Sequence, residues 1–312
     1  MKNTIGIPRS LFYYFYPHSW KIFFEELGFD VILSDESTKW HLNQGTRITM
    51  IDNCLPVKLY FGHISSLLER AEYLFVPRMV STAKTEYLCP KFIGIPDVVV
   101  QTFRVNSDRM ISPVINYNNK KSFWSAARAV GHRFDFTTGT ILTAYLKAVY
   151  NYKRHLALEK KHVKQLTAQS RNTRIGVIGH EYMLKDKLLG RPIIQSIEKL
   201  GCTAIPSYLL SWLPNKTAAH MISKPLYWTK NKRLFESTAF MAENQMIDGY
   251  IQVNSFPCGP DSFISYLLDR KIAQINQLPS MTLTLDEHTG MAGVNTRIEA
   301  FIDLIERRKI GS

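Results

Sequence analysis

Three of the four cysteines stand in the same local context: Cys54 in Asp52-Asn53-Cys54-Leu55-Pro56, Cys89 in Leu88-Cys89-Pro90, and Cys258 in Pro257-Cys258-Gly259-Pro260. Each stands near a proline and opens a segment that reads as a helix. A helix N-terminus carries partial positive charge, which lowers a thiol pKa and stabilises the thiolate, the form that binds metal. Proline removes a backbone donor and stiffens the turn, and Cys-Pro occurs in some iron-sulfur ligand runs. The separations along the chain decide nothing by themselves, because only the fold could bring the three together. Packing as small buried hydrophobes is the competing reading. Cys202, at the entrance to an apolar strand in Leu200-Gly201-Cys202-Thr203-Ala204-Ile205, is assigned to packing. A zinc site on the three thiolates, completed by His or Glu, is a further alternative, within a cluster-free two-domain binding or scaffold protein.

Other reactive side chains fall in loops that follow apolar runs. His180 and Glu181 in Gly179-His180-Glu181-Tyr182, and His288 in Asp286-Glu287-His288-Thr289-Gly290, could act as acid, base or further ligand, or could simply hydrogen-bond their own loops. Asp261 reads as a helix cap or first-turn acid, and Asp286 and Glu287 as caps. Lys58 and Arg78 lie close to two of the cysteine loops, where they either balance an anionic centre or are solvated. The run Phe12-Tyr13-Tyr14-Phe15-Tyr16, followed by Trp20, reads as helix core or a partner-facing patch rather than a base-stacking platform.

These loops need a scaffold, and the hydrophobic pattern supplies one. Strands are expected over 4–8, 30–33, 73–77, 110–115, 174–179, 203–205, 250–253 and 281–285. Helices are expected over 11–27, 56–71, 191–200, 233–244, 262–269 and 295–308, with a turn or helix over 89–103; Gly28 and Gly201 serve as stops. Short apolar runs alternating with helical stretches predict α/β architecture with mostly parallel sheets. The stretch 122–169, poor in Gly and Pro, reads as long helix. The expected organisation is an N-terminal α/β domain (1–121), a helical connection (122–170) and a C-terminal α/β domain (171–312). Both α/β domains are doubly wound, Rossmann-like or flavodoxin-like, with a ligand cleft between the lobes. In such sheets ligands bind outside the carboxyl ends of the strands, where the strand order reverses, and the loops expected there are Pro8-Arg9-Ser10, Pro77-Arg78-Met79, Gly179-His180-Glu181-Tyr182, the stretch 254–261 and Asp286-Glu287-His288-Thr289-Gly290.

Composition bounds the rest. The 312 residues fit about two domains. Hydrophobic residues at 45% and charged residues at 21% describe a globular chain rather than a disordered one. Thirty-nine Lys and Arg against 26 Asp and Glu give a net charge of +13, which favours anionic partners. The basic residues form no tract and come with no zinc-finger, helix-turn-helix or RNP spacing, so nucleic acid is not the expected partner. No apolar stretch suits a transmembrane helix, so no membrane partner is expected. The N-terminus runs directly into the first strand without a signal peptide, so the expected compartment is the cytosol and the cysteines are expected to be thiols.

A family resemblance runs through these segments. Ile5-Gly6-Ile7-Pro8-Arg9, Phe23-Phe24-Glu25-Glu26-Leu27-Gly28-Phe29, Cys54-Leu55-Pro56-Val57-Lys58 with Gly62-His63-Ile64, Gly179-His180-Glu181-Tyr182, Cys258-Gly259-Pro260-Asp261-Ser262 and the loop containing His288 follow in order. In that order the chain resembles the uncharacterised domain of large 2-hydroxyacyl-CoA dehydratase activase-related proteins. It resembles, more distantly, the cluster-bearing dehydratase subunits and the double-cubane cluster proteins. The resemblance implies a two-lobed α/β body holding an oxygen-sensitive [4Fe-4S] cluster, with Cys54, Cys89 and Cys258 as its protein ligands and one iron left open. That iron would take a small-molecule or acyl-CoA ligand in low-potential redox chemistry, as a reductase or dehydratase component. The chain lacks the activator's ATP-binding domain and any Gly-rich P-loop, so the implied electron donor is an ATP-dependent activator or reductase on a separate chain. A homo-oligomer is compatible with the resemblance. Glu181 stands where the family usually has proline after Gly-His.

Overall fold

Gly6, between Ile5 and Ile7, sits buried in a four-stranded parallel sheet, where a Cβ would stand 2.9 Å from that of Ala71, in the segment leading into the next strand. The structure is a computed structural model, and it describes residues 3–16, 18–119, 122–169, 172–210, 213, 218–222 and 224–310. The chain divides into two compact units, Met1–His155 with Tyr227–Thr229, and Leu156–Leu226 with Lys230–Ser312.

In chain order the first unit contains β1 (Thr4–Ile7), α1 (Ser19–Glu26), β2 (Asp30–Leu33), α2 (Lys39–Ile48), α3 (Leu55–Ser65), β3 (Tyr73–Phe75), β4 (Arg78–Ser81), α4 (Pro90–Phe103), β5 (Met110–Ile111), β6 (Val114–Asn116) and α5 (Phe123–Arg133). It ends in α6 (Thr138–Gln169), which continues into the second unit. The main sheet has the order β2-β1-β3-β5, with every pair parallel, and β4 pairs with β6 in a separate parallel ribbon. The second unit adds β7 (Arg174–Ile178), α7 (Glu181–Leu184), α8 (Arg191–Lys199), β8 (Thr203–Pro206), α9 (Thr229–Glu243), β9 (Gly249–Ser255), α10 (Gly259–Lys271), β10 (Ser280–Leu285) and α11 (Met291–Ile310). Its sheet runs β10-β9-β7-β8, again all parallel. Each unit thus has the same order: the second strand flanks the first on one side and the next strand flanks it on the other. The order reverses between β1 and β3 in one unit and between β7 and β9 in the other. The parallel α/β architecture expected from the apolar runs is present; β9, buried along all seven residues, shows why such strands lack alternation.

Four local expectations are corrected. The helix over 11–27 is a 3-10 turn at Leu11–Tyr14 followed by α1, with Leu11 (φ 40°) and His18 (φ 60°) in the left-handed region; Pro17 lies outside the described residues. Packing overrides the helical pattern here, since Phe12 and Phe15 turn inward edge-on against Phe92. The strand over 110–115 is cut into β5 and β6, which join different sheets. Pro113 has no N–H for a ladder, and its carbonyl accepts from the Arg78 N–H at 2.9 Å. The long helix over 122–169 breaks after Arg133, with Asp135 at φ 59°. Finally, α2 is a helix that the sequence did not suggest.

Gly45 is the reason α2 was missed, and also the reason it exists where it does. A Cβ at Gly45 would stand 1.6 Å from the Lys58 carbonyl oxygen, and one at Gly62 would stand 1.8 Å from the His41 carbonyl oxygen. Helices α2 and α3 therefore cross backbone to backbone through a reciprocal glycine pair. Beside that crossing, His63 and His41 stack with ring centroids 4.3 Å apart. His63 is fully buried, with Nδ1 2.8 Å from Ser34 Oγ and Nε2 2.9 Å from Ser37 Oγ. Burial first, then the neighbouring His41 and Arg9, holds His63 well below the ordinary imidazole range.

Two outcomes follow. Gly45→Ala or Gly62→Ala should lose about 3 kcal/mol or more in chemical denaturation, as an overpacked core does, whereas Gly94→Ala in α4, where nothing lies within 4 Å of the new Cβ, should gain about 0.5–1 kcal/mol. Because the folded state keeps His63 neutral, the unfolded chain binds more protons below its ordinary pKa of about 6.5. The stability this group contributes is complete above that pH and is lost as pH falls below it, so thermal midpoints should drop between pH 7.5 and pH 5.5, and less so in His63→Gln.

Candidate functional site

Cys54, Cys89 and Cys258 each occupy the cap position immediately before a helix, respectively α3, α4 and α10, and each helix carries proline at its first or second position: Pro56, Pro90 and Pro260. Proline is favoured there because the first N–H groups of a helix have no partner within it. The helix dipole gives each cysteine a positive local field. All four cysteines are thiols rather than disulfides; the three caps are half-buried, while Cys202 is buried. Burial pushes the Cys202 thiol pKa up, which suits the packing role assigned to it.

In the first unit the two cysteine segments are tied to one another. Lys91, in the first turn of α4, donates to the Asp52 carbonyl at 2.7 Å and to Asn53 Oδ1 at 3.1 Å, joining the residues just after Cys89 to those just before Cys54. Arg78 on β4 forms a bidentate pair with Asp97 of α4, at 2.7 and 2.5 Å, and donates to the Ile93 carbonyl at 2.8 Å, so it fixes α4 rather than projecting into solvent. This hydrogen-bonded pairing holds the Asp97 carboxyl below its usual range. Lys58 is 2% exposed within α3, so the solvated reading of it is corrected: this face of the helix is packed against α2. The loop ahead of Cys89 is held by Leu88 N–H to the Val80 carbonyl at 2.9 Å and by Asn118 Nδ2 to the Glu86 carbonyl at 3.0 Å.

In the second unit, the strand-order reversal between β7 and β9 gathers a polar cluster. His180 follows β7 and Cys258 follows β9. His180 Nε2 lies 2.8 Å from Asp261 Oδ1, Asn231 Nδ2 donates to the same oxygen at 3.0 Å, and the Cys258 side chain hydrogen-bonds to the Asp261 carboxylate. His180 and Asp261 are 3% and 2% exposed. Burial alone would raise the Asp261 pKa, but the His180 charge and the hydrogen bonds from His180, Cys258 and Asn231 outweigh it and hold the carboxyl below its ordinary value. Tyr182 stacks on the His180 ring at 4.9 Å, and His180 Nδ1 is buried without a hydrogen-bond partner. Glu181 is paired with Lys230; burial pushes its carboxyl up, and the Lys230 ammonium more than reverses that.

The sequence had singled out His180, Glu181 and His288 together. The first two flank this cluster, whereas His288 is exposed, and its backbone N–H closes its own loop onto Asp286 Oδ1 at 3.0 Å. Asp261, read as a helix cap or first-turn acid, does stand in the first turn of α10, and it is also the hub joining His180, Asn231 and Cys258. Asn231 carried no signal, since its relevance comes only from the packing of α9. Among the described residues no group of three or more His, Cys, Asp or Glu side chains stands close enough to hold a single metal ion, and no helix is long and apolar enough to cross a membrane.

The fold and these thiols define a two-unit parallel α/β protein with three half-buried cysteines, each capping a helix. The chain belongs to the family described as CoA enzyme activase uncharacterised domain (DUF2229), whose model matches residues 4–210, a span that includes Cys54 and Cys89. No protein of curated function matches it. Among solved structures, it aligns with ZnuA at 10% identity over 98% of both chains, with a TM-score of 0.29. It aligns with the Zn(II)-bound ZnuA-like domain of Streptococcus pneumoniae AdcA at 9% identity, again over 98% of both chains, with a TM-score of 0.30. Likenesses that weak carry nothing to this chain.

Removing the hub of the cluster should be costly, because it strands a buried histidine. Asp261→Ala should destabilise the protein by about 3–5 kcal/mol in urea unfolding, whereas His288→Ala should stay within about 0.5 kcal/mol of the parent.

Proposed function

We propose that the chain holds a [4Fe-4S] cluster on the thiolates of Cys54, Cys89 and Cys258 and serves as a low-potential redox component for a partner enzyme. The observation that carries this reading is the threefold recurrence of one local design, a cysteine capping a proline-started helix, with the fourth cysteine buried elsewhere. Family membership supports it, since the family's description places it with the activases of CoA enzymes. The donor set also suits the group: thiolate is the usual protein ligand of such clusters, and three helix N-termini favour the ionised sulfur. A cluster spreads its ligands over the corners of a cube, so its cysteines need not converge as closely as the donors of one ion.

When bound, the group supplies one-electron transfer and, at an iron lacking a thiolate, a Lewis-acid position for a small-molecule or acyl-CoA ligand. The chain's own residues have separate tasks. Lys91 holds the segments bearing Cys54 and Cys89 in register. Before a cluster is loaded, Asp261, kept ionised by His180 and Asn231, accepts a hydrogen bond from the Cys258 thiol and orients it; that proton leaves when Cys258 becomes a ligand. His180, which shares the Asp261 carboxylate with that cysteine, is an accessory acid–base candidate, together with Glu181 and His288. The electron donor is an ATP-dependent activator or reductase on another chain.

Anaerobic purification followed by iron and acid-labile sulfide analysis and electron paramagnetic resonance tests the proposal. About four irons and four sulfides per chain are expected, with most of both lost in Cys54→Ala, Cys89→Ala and Cys258→Ala and neither changed in Cys202→Ala. Protein that stays free of iron after anaerobic reconstitution, or that binds one zinc on the same thiols instead, would overturn it.

A further inference from the structure

The two main sheets have four edges, and three of them are short or blunted. β2 has four residues and opens on the exposed Asp30, β5 has two residues, and β8 has four and ends in Pro206. Short strands, charges and prolines are the devices by which an edge avoids recruiting another chain. The fourth edge, β10, carries none of them. Its sequence, Ser280-Met281-Thr282-Leu283-Thr284-Leu285, has no charge, no proline and no glycine, and all six residues pair in unbroken parallel register with β9. Among the described residues no strand pairs with its other side.

The backbone groups on that side can be placed from those already in use. The Tyr250 and Phe256 N–H groups donate to the Pro279 and Leu285 carbonyls at 3.0 and 2.9 Å, so the odd-numbered residues of this segment turn their polar groups toward β9. A strand alternates with a period of two, which turns the N–H and C=O groups of Ser280, Thr282 and Thr284 outward. Their side chains are exposed too, on the face that carries α10, where Ser280 Oγ donates to Asp269 Oδ1 at 3.3 Å. On the other face Leu283 and Leu285 are buried. The strand is therefore anchored by its leucines and its inner ladder, and it offers an outer ladder that nothing in its own sheet uses.

This edge is complementary to a second copy of itself. Antiparallel pairing about a two-fold axis at Thr282 sets every outward residue against another outward residue: Thr282 opposite Thr282, and Ser280 opposite Thr284 on each side. Each of these three pairs exchanges two N–H···O=C bonds, a total within the roughly 5–15 direct hydrogen bonds of a typical interface. Moving the axis along the strand leaves outward groups of β10 unpaired. A strand set opposite itself also brings any charge against its like, and β10 has none, while Thr-Thr and Thr-Ser cross-strand pairs are favourable. The two-fold arrangement closes on itself, because pairing consumes the one unblunted edge. We infer that two copies of this chain associate through β10, joining their second-unit sheets into one continuous sheet about an axis at Thr282. The inference goes beyond the cluster proposal and holds whether or not the cysteines carry a metal.

Analytical ultracentrifugation of the full chain at micromolar and higher concentrations tests it, with circular dichroism to confirm that each variant is folded. The parent should sediment as a dimer. Thr282→Lys and Thr282→Glu each place like charges directly opposite one another across the axis, so either alone should weaken dimerisation by about tenfold or more. Mixed in equal amounts the two variants should associate again, because Lys then stands opposite Glu. Thr284→Lys, which the register sets against Ser280 of the second copy, should weaken dimerisation less than Thr282→Lys. A parent that is monomeric throughout, a larger open-ended assembly in place of a dimer, a dimer that neither Thr282 variant weakens, or two folded variants that stay apart when mixed would each overturn the inference. Iron analysis of the same samples keeps this result separate from the cluster proposal.

Discussion

Parallel strand pairing is the constraint from which the rest of this structure follows. Two parallel strands cannot be joined by a tight turn, so the chain must cross back through a helix, and a helix that follows a strand begins near that strand's carboxyl end. α4 and α10 begin in this way, and each brings the positive end of its dipole to the carboxyl end of the strand it follows. Both units repeat the same strand order, so each has one reversal point. At one of these points, between β7 and β9, the His180, Asp261, Asn231 and Cys258 cluster gathers.

The scaffold was legible in the sequence where one local rule dominated. Buried parallel strands are short apolar runs, and runs such as Ile5-Gly6-Ile7 and Ile175-Gly176-Val177 could be read directly as strands. Gly28 and Gly201, at φ 89° and 77°, end helices as their position suggested. The cysteine contexts were equally readable, because a helix cap with a following proline is a local device. What the sequence concealed was decided by contacts across long separations. α2 was hidden by Gly45, a poor helix residue retained because another backbone occupies the place of its side chain. The division of 110–115 depended on β3 and β4 lying in different sheets, and the break after Tyr14 depended on Phe12 and Phe15 finding Phe92.

The polar cluster shows the same division on a smaller scale. His180 and Asp261 were each visible as isolated residues with ordinary roles, but their meeting requires β7 and β9 to be neighbours. Once they are, a carboxylate that burial would protonate is kept ionised by three donors, and the aspartate becomes the element that orients the adjacent cysteine. Asn231, from a third segment, completes the set, and nothing in its surroundings along the chain foretells that position.

The reciprocal glycine contact between α2 and α3 also bears on how this region tolerates change in length. With Lys58 and His41 carbonyls seated where side chains would be, neither helix can slide along the other by a residue without collision. The connecting segment 49–54 therefore bridges two fixed anchor points, and its Met50 and Ile51 already lie outside, 75% and 89% exposed. Extra residues inserted near those two would bulge into solvent and leave the capping cysteine in place, whereas a deletion has no slack to draw on and would pull the first turn of α3 apart.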